Sequence, residues 1–212
     1  MDRAAKLSYL VEALCFTAFV GLYIWRLQAE SPRAWWVMVV WLGLSVLLRK
    51  DKPKTLGWRA DNLWSSARRA LPFFAVSVLS ICGAGLFLGM LHRLPVHLMD
   101  FRKFANYLAF CLLQQVALNS FVNNRLLAYF ERPWLAAMLA GLLFAALHWP
   151  NPVLVPLTLI GGAGMAWLFA NDRNILPLVL GQALLGALTW WAFPLAWHHS
   201  MRVGPGFRAY HF

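Results

Sequence analysis

Residues 71–91 read Leu-Pro-Phe-Phe-Ala-Val-Ser-Val-Leu-Ser-Ile-Cys-Gly-Ala-Gly-Leu-Phe-Leu-Gly-Met-Leu, twenty-one residues without one Asp, Glu, Lys or Arg. An α-helix of that length rises about 30 Å, the thickness of the hydrocarbon core of a bilayer. Comparable apolar blocks recur on both sides, over residues 8–24, 34–48, 104–127, 134–149, 153–170 and 175–197. Trp35 and Trp36 suit the headgroup level at the edge of the short second block. A transmembrane β-barrel would instead alternate in polarity over segments of about 10 residues, and that alternation is absent. The whole chain is 61% apolar and 13% charged, against about 45–50% and 25% in soluble domains. The expectation is an all-α polytopic transmembrane helical bundle of about seven spans plus one interfacial helix, forming a single membrane domain over residues 1–212.

The formal net charge of +11 invites a nucleic-acid partner. The basic residues, however, lie in the gaps between apolar blocks, where topology and anionic headgroups account for them. No zinc-finger, RNP-like or basic-helix pattern accompanies them, so the expected partners are membrane lipids and no nucleic acid. Residues 49–69 hold seven Lys or Arg. Within that stretch Leu63, Trp64, Ala67 and Leu71 share one helical face, which fits either a short interfacial helix or an ordinary basic loop. With seven spans, twelve Lys or Arg fall on the side of the N-terminus and loop 49–69, and seven on the other. The first side is therefore expected in the cytoplasm, and the setting is expected to be a bacterial plasma membrane. Arg3 and Lys6 ahead of an apolar stretch mimic a signal peptide, but Arg26 follows closely without a small-residue cleavage site, so an uncleaved first span is expected.

Cys15, Cys82 and Cys111 each stand alone in an apolar block, with no C-x-x-C spacing, and are expected as small packing residues. Gly161, Gly162 and Gly164, and Gly181, Ala183, Gly186 and Ala187, read as packing faces of the sixth and seventh spans.

The fourth block departs from this apolar pattern. It carries Gln114, Gln115, Asn119, Ser120, Asn123, Asn124 and Arg125 at membrane depth. At 100° per residue Gln115, Asn119 and Asn123 share one arc. Amides unpaired in hydrocarbon are costly, so this face is expected to look into the bundle, as interhelical hydrogen-bond glue or as the wall of a wet cavity. The fifth block ends in Phe144-Ala-Ala-Leu-His148-Trp-Pro-Asn-Pro. Phe144 and His148 share a face, and the prolines stop the helix there. An intramembrane histidine is a functional candidate, and a plain structural donor is equally in keeping with its place at a helix end. The seventh block adds Gln182 four residues before Gly186.

Together these positions resemble the CPBP or Abi family of intramembrane proteases, which includes the CAAX prenyl proteases and bacteriocin-processing members. That family carries Glu-Glu-x-x-x-Arg on one span, Phe-x-x-x-His on the next and a His-x-x-x-Asn-type motif two spans later. Gln114, Gln115 and Asn119 align with the first motif, Phe144 and His148 match the second, and Gln182 and Gly186 align with the third. The resemblance covers a core over residues 104–197. It implies an intramembrane endopeptidase fold, a prenylated or transmembrane peptide as partner, and no cofactor. Both glutamates are glutamine here, the arginine is Asn119, the second histidine is Gln182 and the asparagine is Gly186. An amide has no titratable proton and cannot serve as the family's general base, so weakened or lost catalysis, a pseudoenzyme, is expected.

Glu12, the carboxylate within a clear span, is expected near the headgroups with its charge solvated. No H-E-x-x-H spacing joins His92, His97, His198, His199 or His211 into a metal site. A non-catalytic scaffold, immunity or assembly factor acting through helix contacts is the alternative. Transporter-like charged relays or broken repeat pairs are not evident.

Overall fold

The computed structural model describes residues 2–90 and 101–209. Helix makes up 81%, and no strand occurs among the described residues. Helix α1 (Arg3–Leu22) starts at Asp2, whose carboxylate accepts the Ala5 N–H at 2.6 Å, satisfying a donor that the helix start leaves open. It continues through a π-helical turn, Tyr23–Leu27, into Gln28–Glu30. Helix α2 (Trp35–Arg49) ends at Lys50, whose backbone is left-handed (φ 55°). Helix α3 is Leu63–Phe87. Helix α4 is composite: Phe101–Gln115, a π-helical stretch Val116–Asn123, then Asn124–Tyr129. Helices α5 (Pro133–Ala146), α6 (Leu154–Asp172) and α7 (Leu176–Ala192) follow. Pro133 and Pro177 sit in first turns, where a missing N–H costs no intrahelical bond.

Each of the seven apolar blocks holds one of these helices. Arg3–Glu30, Leu63–Phe87 and Leu154–Asp172 are long and apolar enough to cross a membrane, with mean hydropathies of 1.8, 2.0 and 1.4; α5 and α7 are shorter apolar helices. The 15 residues of α2 rise about 22 Å, and the stacked Trp35–Trp36 pair (centroids 4.2 Å apart) stands at its start. Leu48, Leu79 and Phe87 are 81%, 71% and 90% exposed, as side chains facing lipid would be. The chain is an integral membrane protein built of helices.

Two expectations about helix ends are corrected. Leu63, Trp64, Ala67 and Leu71 do not form a separate interfacial helix; they are the opening turns of α3, which runs through Pro72 without a break. The seventh helix stops at Ala192, before Pro194, and residues beyond it form the short helices Leu195–His198 and Pro205–Arg208. His92, His97, His211 and the end of the third block at Leu91 lie outside the described residues.

Small residues set the helix spacings. A Cβ on Gly141 of α5 would come within 2.6 Å of the Ala163 N and 2.7 Å of the Leu159 O of α6, and one on Gly162 within 3.2 Å of Gly141 Cα. The backbones of α5 and α6 are in direct contact, as small residues permit between membrane helices. Gly164 and Gly181 accept the rings of Phe73 and Phe74 from α3.

Polar residues gather at the two ends. At one end, the N-terminus, the 50–62 loop and the turns after α4 and α6 meet. Lys6 pairs with Glu131 at 3.0 Å, Arg69 pairs with Asp172, and the Ile175 N–H donates to Gly57 O at 3.1 Å. Arg59 holds the exposed Asp61 carboxyl down to about 2 through a hydrogen bond. Beneath this surface Arg125, 2% exposed, lies 2.5 Å from Asp51 and 3.2 Å from Glu12, while Arg49 donates to Glu12 at 2.8 Å. Glu12 is therefore ion-paired inside the bundle; it is not a solvated headgroup-level charge. At the opposite end Asn151, fully buried, donates to the carbonyls of His198 and Arg202 and accepts the N–H groups of Val153 and Leu154, all at 2.9–3.0 Å. The Gly204 N–H bonds Trp149 O at 2.9 Å. The chain after α7 is thus fixed across the α5–α6 turn.

Candidate functional site

The polar face of α4 divides into two sets with different work. Ser120 and Asn124 point to the basic end, donating to the carbonyls of Leu56 (2.5 Å) and Thr55 (2.8 Å) and pinning the 50–62 loop. The second set forms a one-way chain of amides. Asn123 Nδ2 donates to Asn119 Oδ1 (3.1 Å) and to the Ala166 carbonyl of α6 (2.9 Å). Asn119 Nδ2 donates to Gln115 Oε1 (2.6 Å), Gln115 Nε2 to Gln182 Oε1 of α7 (2.6 Å), and Gln182 Nε2 to Gln114 Oε1 (2.5 Å). The i to i+4 spacing of residues 115, 119 and 123 stacks these side chains. The π-helical stretch begins directly after Gln115, as such bulges do at many functional sites. Gln115, Asn119 and Asn123 are fully buried, so their amides act as interhelical glue among α4, α6 and α7. Gln114 ends the chain with its Oε1 occupied and its NH2 group unspent among the described residues.

That end of the chain faces a cavity of about 1160 Å³ lined from all the main helices but α2. Drug-sized pockets run about 300–1,000 Å³, so this one has room for a longer ligand. Gln114, Phe144, His148, Gln182 and Gly186 line it together; Gln115 and Asn119 are fully buried and stand behind its wall. The expected polar pocket is nevertheless mostly apolar, with Val20, Ile24, Phe73, Val76, Leu147 and Leu157 among its walls. The amides contribute little polarity because most of them are spent on one another. No carboxylate, Lys or Arg lines the cavity among the described residues.

His148 closes the cavity near the Asn151 end. Its Nδ1 lies 2.7 Å from the Phe144 carbonyl, and its ring meets the Phe144 ring edge-on at 4.6 Å. Only a protonated Nδ1 can bond a carbonyl, so the neutral ring presents Nε2 as an acceptor. Helix α5 ends at Ala146, and His148 stands in the turn that follows, just ahead of Pro150 and Pro152. Across the cavity, a Cβ on Gly186 would collide with the Tyr107 hydroxyl, which occupies the space that any side chain at 186 would take. Tyr107 lies two turns before Gln114 on the same helix and was not singled out in the sequence, where an aromatic ring in an apolar block reads as core.

No group of three or more His, Cys, Asp or Glu could hold a metal among the described residues. His199 stacks on Phe207 at 4.0 Å and His198 packs against Trp190 at 5.2 Å. Cys15, Cys82 and Cys111 are free thiols.

A family model described as type II CAAX prenyl endopeptidase Rce1-like matches residues 3–188. No curated protein and no solved structure matches the chain.

Proposed function

We propose, from the premise that the chain belongs to the Rce1-like family of type II CAAX prenyl endopeptidases, that its cavity receives a prenylated or transmembrane peptide tail and holds it without hydrolysing it by a glutamate-activated water. One observation carries this reading: no carboxylate among the described residues lines the cavity, and the amides at positions 114 and 182 are bonded to each other. The amide wall and His148 offer hydrogen bonds to a peptide backbone, a donor from Gln114 Nε2 and an acceptor at His148 Nε2. The apolar walls suit an isoprenoid chain, whose burial is worth about 0.8 kcal/mol per CH2. Glu12, the carboxylate that could have replaced the lost glutamates, is engaged by Arg49, Arg125 and Ser45 outside the cavity.

Purified protein in lipid nanodiscs should bind a fluorescent farnesylated tetrapeptide saturably. The same peptide without its prenyl group should bind at least about tenfold more weakly, since two buried methylenes already account for that factor. Turnover should not exceed that of the His148→Ala variant. Absence of saturable binding, or robust cleavage abolished in His148→Ala, overturns the reading.

In the same proposal all seven helices span the membrane, with the N-terminus and the 50–62 loop in the cytoplasm. The split of twelve to seven basic residues supports the orientation, and the meeting of the 50–62 loop with the N-terminal end supports the parity. Single cysteines placed at Lys52 or Lys54 should resist impermeant maleimide in intact cells and react after lysis. Strong labelling of intact cells rules the orientation out.

A further inference from the structure

We propose that the Tyr107 hydroxyl is a second hydrogen-bond donor of the cavity, positioned by the absent side chain of Gly186 to bind a backbone carbonyl of the bound peptide tail. The proposal rests on the reading of the cavity as a peptide-tail site. Tyr107 and Gly186 both line that cavity, with Gln114 on the same helix as Tyr107 and Gln182 on the same helix as Gly186. The hydroxyl lies so close over Gly186 that a Cβ there would collide with it. Only glycine at 186 lets the phenol reach this place.

Packing alone does not call for an oxygen here. A phenylalanine would fill the ring's volume, whereas a hydroxyl in an apolar setting is destabilising unless it is hydrogen-bonded. Its neighbour is the Cys111 thiol one turn on, a weak hydrogen-bond partner. A peptide carbonyl is a stronger one, and an extended or prenylated tail brings several into the cavity. The Tyr107 hydroxyl lies over Gly186 and the Gln114 amide is bonded to Gln182, and these two α7 positions are one turn apart, about 6 Å of rise, the length of about two extended residues. The two donors would therefore grip different carbonyls of one tail and fix its register.

The test compares the farnesylated tetrapeptide with a set of analogues in which each amide in turn is replaced by a trans-alkene, which keeps the shape and removes the carbonyl. Wild-type protein should prefer the amide over one particular alkene by about three- to tenfold, the worth of one neutral hydrogen bond. Tyr107→Phe should bind that alkene as wild type does and lose the preference. Gly186→Ala should lose it too, by displacing the hydroxyl, and combining the two substitutions should lower it no further. Unchanged thermal unfolding of Tyr107→Phe accompanies the expected result. A preference that survives in Tyr107→Phe, or a loss of affinity that is equal for every analogue, overturns the role of Tyr107 while leaving the cavity's function standing. Failure of wild-type protein to bind the amide peptide at all removes the underlying reading and this inference with it.

Discussion

Arg125→Met is expected to destabilise the protein by about 3–5 kcal/mol, the usual cost of removing one partner from a buried ion pair. Arg125 is 2% exposed and sits between Glu12, Asp51 and Ser45, with its guanidinium 5.0 Å from the Phe121 ring centroid. With Arg49, the cluster holds two guanidiniums and two carboxylates and is neutral as a whole. Methionine fills much of the volume but leaves Asp51, whose side chain is only 19% exposed, facing a partner that has gone. The helices fastened together by the cluster are α1, α2 and α4, so the loss spreads to the wall of the cavity that α1 and α4 supply. A thermal midpoint lower by roughly 10 °C in detergent is the expected reading. Adding Asp51→Asn should recover part of the loss, because the carboxylate left unpaired is then neutral. A drop under about 1 kcal/mol in the single variant would show that water reaches the cluster and that it is a surface network in effect.

How far the sequence disclosed this arrangement follows from the physics of each feature. Helix positions were readable because a bilayer imposes a length of apolar chain and because prolines mark starts and stops; α5 and α6 begin and end close to where Pro133, Pro150 and Pro152 put them. The opening of α3 was not, because an amphipathic turn beside a span has the same pattern whether it lies in the interface or continues the helix. The amide ladder at 115, 119 and 123 was visible as a helical face. Its division from Gln114 was not, since that depends on which amides on α7 reach across. Gln182 is one residue in an apolar block, and only tertiary pairing shows that it joins Gln114 to Gln115. Arg125 stood in the sequence among the polar groups of the fourth block and in the basic count of the N-terminal side. Its burial against Glu12 depends on α1 packing beside α4, which periodicity does not encode. Gly186 read as a packing residue in its own right and as a lost asparagine by resemblance. What fills its space, the Tyr107 hydroxyl from seventy-nine positions earlier, is a contact between helices distant in the chain.

The two glutamines at the head of the amide chain are expected to respond in opposite ways to replacement by glutamate. Gln115 uses both ends of its amide: Oε1 accepts from Asn119, and Nε2 donates to Gln182 and meets Met165 Sδ at 3.2 Å. A carboxylate there would keep the acceptor, face the Gln182 oxygen without a proton to offer and sit fully buried. Gln115→Glu should therefore destabilise the fold by several kcal/mol, as an unpaired buried charge does. Gln114 differs. Its Oε1 accepts from Gln182, and its NH2 group has no partner among the described residues, so Gln114→Glu keeps the bond that the fold uses and places a carboxylate on the cavity wall. That carboxylate could take a proton from water as the oxygen attacks a peptide carbonyl, then return it to the departing amine. General acid–base help of this kind is worth about 10²–10⁴-fold. Gln114→Glu should thus cleave a farnesylated tetrapeptide at least about a hundredfold faster than wild type, and the gain should vanish when His148→Ala is added. A Gln114→Glu protein as inert as wild type would show that position 114 is not where the missing base belongs. Wild-type turnover already at the level of the variant would show that the site is live without a carboxylate, with His148 as the remaining candidate base.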